Sequence, residues 1–185
     1  MSRTFKAIPE AVDVPSGQLA AALGLPSREP GAPRLVIGRR EWLALPDFGI
    51  RSLDAKTDSG ARGSSLHVEN LELSHDKTSA RFTTFCHHGN AVECTSPVAR
   101  FGQVRSSSGV IQERVFIHAN AVFCGGFRWS ILLSLANRSD MLYPLLLGRR
   151  ALAGYFLIDP LRVHLLGTRR QLEQEIPAST RCGGP

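Results

Sequence analysis

From residue 34 to residue 167 the chain is broken into short apolar or alternating runs, and this most constrains its fold. Nine runs stand out: RLVI, SLDAKT, SSLHVENLEL, ARFTTFC, AVECTSPV, VIQERVFI, FRWSILLSLA, YPLLL and YFLID. Gly, Asn, Asp and Ser separate them, so each run is too short for a long amphipathic helix and suits a strand. Only GRRALAG, directly after YPLLL, reads as a helix, with Gly154 as its stop. Many closely spaced strands in one body predict an all-β closed or orthogonally packed barrel with one short helix. Hydrophobic residues make up 43% of the 185, enough to fill such a core.

The flanks differ. Residues 1–33 hold Pro9, Pro15, Pro26, Pro30 and Pro33, with an apolar patch at Leu19–Leu25. They are expected to be a flexible N-terminal tail, residues 34–168 the folded domain, and residues 169–185 a C-terminal tail. No internal repeat is present. The formal net charge is +6, and Arg predominates over Lys, which favours acidic partners. Cys86, Cys94, Cys124 and Cys182 form no C-x-x-C pair. No signal-peptide h-region and no apolar stretch of about 18 residues is visible. A cytoplasmic protein with free thiols and no membrane association is the expectation.

The chemistry concentrates at KTDSGA, residues 56–61. Asp58 ends a strand-like run, and Gly60 permits a tight turn close to a substrate. A carboxylate held this way can share a proton with a second carboxylate and activate water, as aspartic peptidases do. Asp-Ser-Gly turns are also common on surfaces. The second signal is LLLGR at Leu145–Arg149, an apolar run ending in Gly-Arg before the short helix.

Together the segments IGRREWLALPDFGI, AKTDSGARGSSLHVENLEL, VECTSPV, QERVFI and LANRSDMLYPLLLGRRALAGYFLIDP resemble the bacterial retropepsin-like aspartic peptidases historically labelled ATP-dependent zinc proteases. The resemblance covers residues 35–167 and implies a retropepsin-like acid-protease barrel. It implies a catalytic turn of Asp58, Ser59 and Gly60, supported by Ala61, Gly148 and Arg149. The family often accompanies ATP-grasp ligases that add glutamate to protein or peptide ends. It thus implies hydrolysis of peptide bonds in glutamate-rich tails. The chain departs from the family pattern at Ser59 and Gly63, where Thr is usual, and at Thr57, where an apolar residue is usual.

The Asp-Ser-Gly turn occurs once. Asp47, Asp54, Asp76, Asp140 and Asp159 lack its context. A two-carboxylate site then needs Asp58 from a second chain, so a homodimer is expected. The alternative is a single-Asp site with Lys56 or another local group as partner. Lys56 and Asp58, two residues apart on a strand, share a face about 7 Å apart. Lys56, Arg62, His67, Arg105, Arg114 and Arg138 are the candidates for contacting an acidic peptide, because planar guanidinium forks suit carboxylates.

Neither a metal nor any other cofactor is expected. The six histidines include FCHHG but no H-E-x-x-H, and Cys86, His87 and His88 alternate across a strand. No Walker loop is present. Two rival readings are a catalytically silent module for acidic peptides and a basic protein associated with ribosomes or nucleic acid. The second lacks any nucleic-acid motif.

Overall fold

The structure is a computed structural model that describes residues 28, 31–87, 89–105, 111–137 and 142–177. Twelve strands dominate the described chain: β1 (Leu35–Gly38), β2 (Arg40–Leu45), β3 (Ile50–Asp58), β4 (Ser64–His67), β5 (Glu69–Leu73), β6 (Ser79–Phe85), β7 (Ala91–Pro97), β8 (Arg100–Arg105), β9 (Ile111–Phe123), β10 (Arg128–Ala136), β11 (Leu145–Gly148) and β12 (Phe156–Asp159). Strand pairing runs β10–β4–β11–β3–β2–β9 and returns from β9 to β10, closing a ring of six strands. The N-terminal half of β9 continues beyond the ring and pairs with β8 as a hairpin arm. Strands β5, β6 and β7 form a separate antiparallel sheet, and β1 pairs with β12 in parallel. The all-β class expected from the run pattern is the class observed. SSLHVENLEL is two strands rather than one, because the chain passes from β4 in the ring to β5 in the separate sheet.

Alternation decides what lies inside the ring. On β9, Val115, Ile117, Ala119, Ala121 and Phe123 are buried, as are Trp129, Ile131, Leu133 and Leu135 on β10. Their partners at even positions point outward. Phe123, Phe127, Trp129 and Phe156 pack as an aromatic cluster, with the Phe123 and Trp129 ring centroids 4.7 Å apart. The Trp129 indole N–H donates to the Ala151 carbonyl (3.1 Å), which satisfies the one polar atom of this buried ring.

Strands β3 and β4 are consecutive in sequence, yet β11 lies between them. It runs parallel to β3 and antiparallel to β4. Its last residue, Gly148, is in register with Asp58. A Cβ at Gly148 would overlap the backbone carbonyl of Gly63, so only glycine allows this approach. The Gly148 N–H donates to Ser64 Oγ (3.1 Å). The first helix, α1 (Arg149–Leu152), follows at once, as expected from GRRALAG.

Packing continues past residue 168. Residues 169–175, expected as part of a tail, form a second helix, α2 (Arg169–Glu175). Thr168 caps it in a reciprocal capping box with Gln171. Leu172 and Ile176 bury against Ala44 and Val122. The run from Arg169 to Glu175 is mostly charged, so the two apolar anchors escape a periodicity reading. The Glu175 carboxylate accepts from the Gly125 N–H (2.9 Å) and the Cys124 thiol (3.5 Å). Burial, reinforced by that carboxylate, pushes the Cys124 thiol up to about 11, so it stays neutral near pH 7. The regions 1–27 and 178–185, the bulk of the two expected tails, lie outside the described residues. No helix of the described residues is long and apolar enough to cross a membrane.

Glu41 is fully buried on β2. Its carboxylate accepts from the backbone N–H groups of Gly38 (2.7 Å), Leu165 (2.8 Å) and Leu166 (3.3 Å). It therefore ties the start of the fold to the segment leading into α2.

Two stability measurements check this architecture. Gly148→Ala forces a methyl group against backbone, which cannot swing aside. Thermal denaturation should show a loss of about 1–3 kcal/mol or more, and unchanged stability would contradict the close approach. Glu41→Ala strands buried N–H donors at about 1–3 kcal/mol each. Urea unfolding should therefore show a larger loss than for Ala substitution at the exposed Glu72.

Candidate functional site

The turn that joins β3 to β4 is held from both sides. Asp58 Oδ1 accepts the backbone N–H groups of Gly60 and Ala61, each at 3.0 Å, so the carboxylate closes its own turn. A Cβ at Gly60 would sit 3.2 Å from that oxygen, tighter than ordinary contact. The carbonyls of the turn face the other way. Arg149 spans two of them, donating from its guanidinium to Ser59 O (2.9 Å) and Gly60 O (2.7 Å). The backbone N–H groups of Arg149 and Arg150 donate to Ala61 O (2.9 Å) and Arg62 O (3.1 Å). Four successive carbonyls thus have donors from one element, α1 and its first side chain. The carboxylate cannot drift without breaking several of these bonds.

Asp58 lines a cleft of about 1420 Å³. The floor of the cleft is the outward face of the sheet. One transverse row crosses it in register: Leu146 on β11, Ser65 on β4, Ser134 on β10, Phe116 on β9 and Arg100 on β8. Among the described lining residues, Arg28, Arg62, Arg100, Arg114 and Arg150 carry positive charge and Asp58 alone carries a carboxylate. Walls of one sign focus the field within a cleft and attract the opposite charge.

The other expected site residues separate into groups. Arg62 and Arg114 line the cleft, and the Arg114 guanidinium donates to the Gln112 side chain. Lys56 shares the outward face with Asp58, as the two-residue spacing predicts, but its ammonium donates to the Thr57 carbonyl (2.9 Å) and it does not line the cleft. His67 stacks on Phe85 with centroids 5.5 Å apart and lies 3.8 Å from Glu69, also away from the cleft. Arg105 ends β8, paired with Ile111. Arg138, His88 and Cys182 lie outside the described residues.

The departures at Thr57 and Gly63 have local accounts. Thr57 is buried, and its hydroxyl donates to Gly38 O (3.4 Å), tying β3 to β1. A Cβ at Gly63 would meet nothing within 4 Å, so the smaller residue removes no contact within the described fold.

Arg28, Arg100, Arg150 and His118 line the cleft without having been singled out in the sequence. RFGQVR, which carries Arg100, does not show as a strand in the sequence, because Phe101 and Val104 fall on opposite faces with Gly102 between them. For Arg28 and Arg150 no local pattern could have shown it, since α1 brings both to the cleft edge, with Arg28 donating to Arg150 O (2.6 Å).

Comparison with known proteins identifies relatives of the chain. The chain is 36% identical over 148 residues to a probable alpha-L-glutamate ligase of Parasynechococcus marenigrum, covering 77% of this chain and 31% of that protein. It is 34% identical over 148 residues to one from Shewanella halifaxensis, covering 77% and 32%. The chain therefore spans about a third of the length of these curated relatives. Among solved structures, a Legionella pneumophila protein of unknown function superposes with a TM-score of 0.60 at 27% identity, over 72% of this chain and 99% of that one. The profile of the RimB-like family, described as retropepsin-like aspartic endopeptidase RimB, matches residues 36–168. With that match spanning the whole ring and the Asp58 turn, the chain belongs to the RimB-like family of retropepsin-like aspartic endopeptidases.

Proposed function

We propose that the protein hydrolyses peptide bonds in glutamate-rich peptides or protein tails, with Asp58 activating the attacking water. One observation carries the reading. Among the described residues that line the cleft, a single firmly held carboxylate is accompanied by five arginines. A carboxylate so placed acts as a base toward water, and the arginines draw in an anionic chain. The family membership supports the aspartic-type chemistry. The glutamate ligases that share this region support a substrate built from glutamate, and a working link to such a ligase.

Hydrolysis needs an acid as well as a base. Water gives a proton to one carboxylate as its oxygen attacks the peptide carbonyl, and the departing amine takes a proton from the other. The sequence holds one Asp-Ser-Gly turn. In this proposal the second carboxylate is Asp58 of another copy across a two-fold axis, and the working unit is a homodimer. The same lone carboxylate also favours a second reading, a module that binds acidic peptides without cutting them.

Asp58→Asn is the deciding variant. The amide keeps the volume and cannot serve as base or acid. Cleavage of a hexaglutamate peptide, followed by mass spectrometry, should fall at least about 100-fold while the melting temperature holds, since general acid–base groups contribute about 10²–10⁴-fold. Full activity would move the chemistry elsewhere. A wild type that binds the peptide and never cuts it would establish the silent module.

Charge is tested separately. The kcat/KM for hexaglutamate should exceed that for hexaglutamine at low salt, and the gap should narrow as salt rises, because exposed charges are screened over about 8 Å at physiological ionic strength. Equal rates for both peptides at all salt concentrations would reject an acidic substrate.

A further inference from the structure

Arg100 is set apart from the other cleft arginines by how it is seated. It lies on β8, in register with Phe116 of β9, with its guanidinium carbon 3.7 Å over the Phe116 ring centroid. Phe116 points outward from the ring of strands yet is only 6% exposed. The arginine side chain covers it. Gly102, two residues on and on the same face, leaves room for this. A Cβ there would overlap the Arg100 guanidinium and come within 3.2 Å of the Phe116 ring. Among the described residues no carboxylate lies within ion-pair distance of Arg100. Its one backbone bond, to Phe101 O, is long at 3.4 Å.

A guanidinium stacked on a ring uses its flat face for the cation–π contact. Its N–H groups point outward in the plane, where they match the two oxygens of a carboxylate. The buried ring fixes the plane, so little side-chain freedom remains to be lost on binding. Along the register row, β11, β4, β10 and β9 lie between the Asp58 strand and β8, and the shorter way round the ring, through β2, meets β9 at Val122 and Phe123, the opposite end from Phe116. The seat therefore lies on the wall of the cleft away from the catalytic turn.

We propose that Arg100, seated on Phe116 in the space left by Gly102, is a specificity-determining residue that grips a side-chain carboxylate of the acidic substrate at a subsite remote from the bond that is cut. The inference rests on the acidic-peptide reading above and assigns that preference to one residue. Diffuse attraction by the other arginines would persist without it.

The test separates binding from turnover by using the full-length Asp58→Asn protein. Fluorescein-labelled hexaglutamate and hexaglutamine are titrated by fluorescence anisotropy at low and moderate salt. Arg100→Gln should reduce the preference for hexaglutamate over hexaglutamine by about tenfold or more, the usual scale for a charge-assisted hydrogen bond. Gly102→Ala keeps the charge, displaces the flexible end of Arg100 and asks the Phe116 ring to give by a few tenths of an ångström, so the fold should tolerate it. It should lose most of the same preference. Arg100→Lys, which keeps charge without the planar fork, should recover only part. An unchanged preference in Arg100→Gln overturns the proposal, as does an equal loss for both peptides. Loss in Arg100→Gln but not in Gly102→Ala overturns the seated geometry in favour of diffuse charge. Failure of the Asp58→Asn parent to prefer hexaglutamate overturns it outright. A wild type that never cleaves, with the Arg100 effect intact, counts against the peptidase reading alone.

Discussion

The close approach of Gly148 to the Gly63 carbonyl is the contact on which the rest of the site depends. It lets β11 enter between two strands that the chain made consecutively, and it brings α1 against the turn between them. The Arg149 side chain and the first two backbone N–H groups of α1 then satisfy the turn carbonyls, while Asp58 satisfies the turn amides. Four turn carbonyls and two turn amides thereby have partners within the protein. A carboxylate held at a cleft by such a network keeps one orientation, which is the preorganisation that acid–base chemistry needs.

The electrostatics of the cleft follow from alternation. Inward positions of β9 and β10 are apolar because they fill the ring, so their outward neighbours are free to be polar or charged. Phe116 breaks that pattern and is the one large apolar ring of β9 turned outward. Arg100 covers it, and Gly102 gives the covering side chain its space. Three residues on two strands thus convert an exposed apolar surface into an oriented cation.

How far the sequence could be read varies by element. Strand-like runs were visible where alternation was clean, as in SLDAKT and FRWSILLSLA, and the helix after LLLGR was visible from its Gly-Arg start and Gly154 stop. RFGQVR shows no strand signal because its two apolar residues, Phe101 and Val104, fall on opposite faces and Gly102 adds no side chain. α2 was missed because a charged surface helix with two buried residues, Leu172 and Ile176, has little periodicity to find. At the site, Asp58, Ser59, Gly60, Gly148 and Arg149 were legible through their motifs. Arg28, Arg100, Arg150 and His118 were not, because a cationic side chain on a strand or helix reads the same whether it meets solvent or a cleft. Lys56 shows the converse, since spacing put it near the turn and its own hydrogen bond holds it off the cleft, and His67, a candidate for contacting substrate, is held away by stacking on Phe85.

By itself, the sequence determined the all-β class, the single Asp-Ser-Gly turn, the later Leu-Gly-Arg segment and the excess of positive charge. These are local properties, set by residue type and spacing along the chain. Only the tertiary structure decided that β11 separates β3 from β4, which arginines share a cleft with Asp58, and that Arg100 lies on Phe116. Each of those depends on contacts between residues far apart in the chain. Such contacts are chosen by the closure of the ring and by backbone approach at Gly148 and Gly102, which no local pattern encodes.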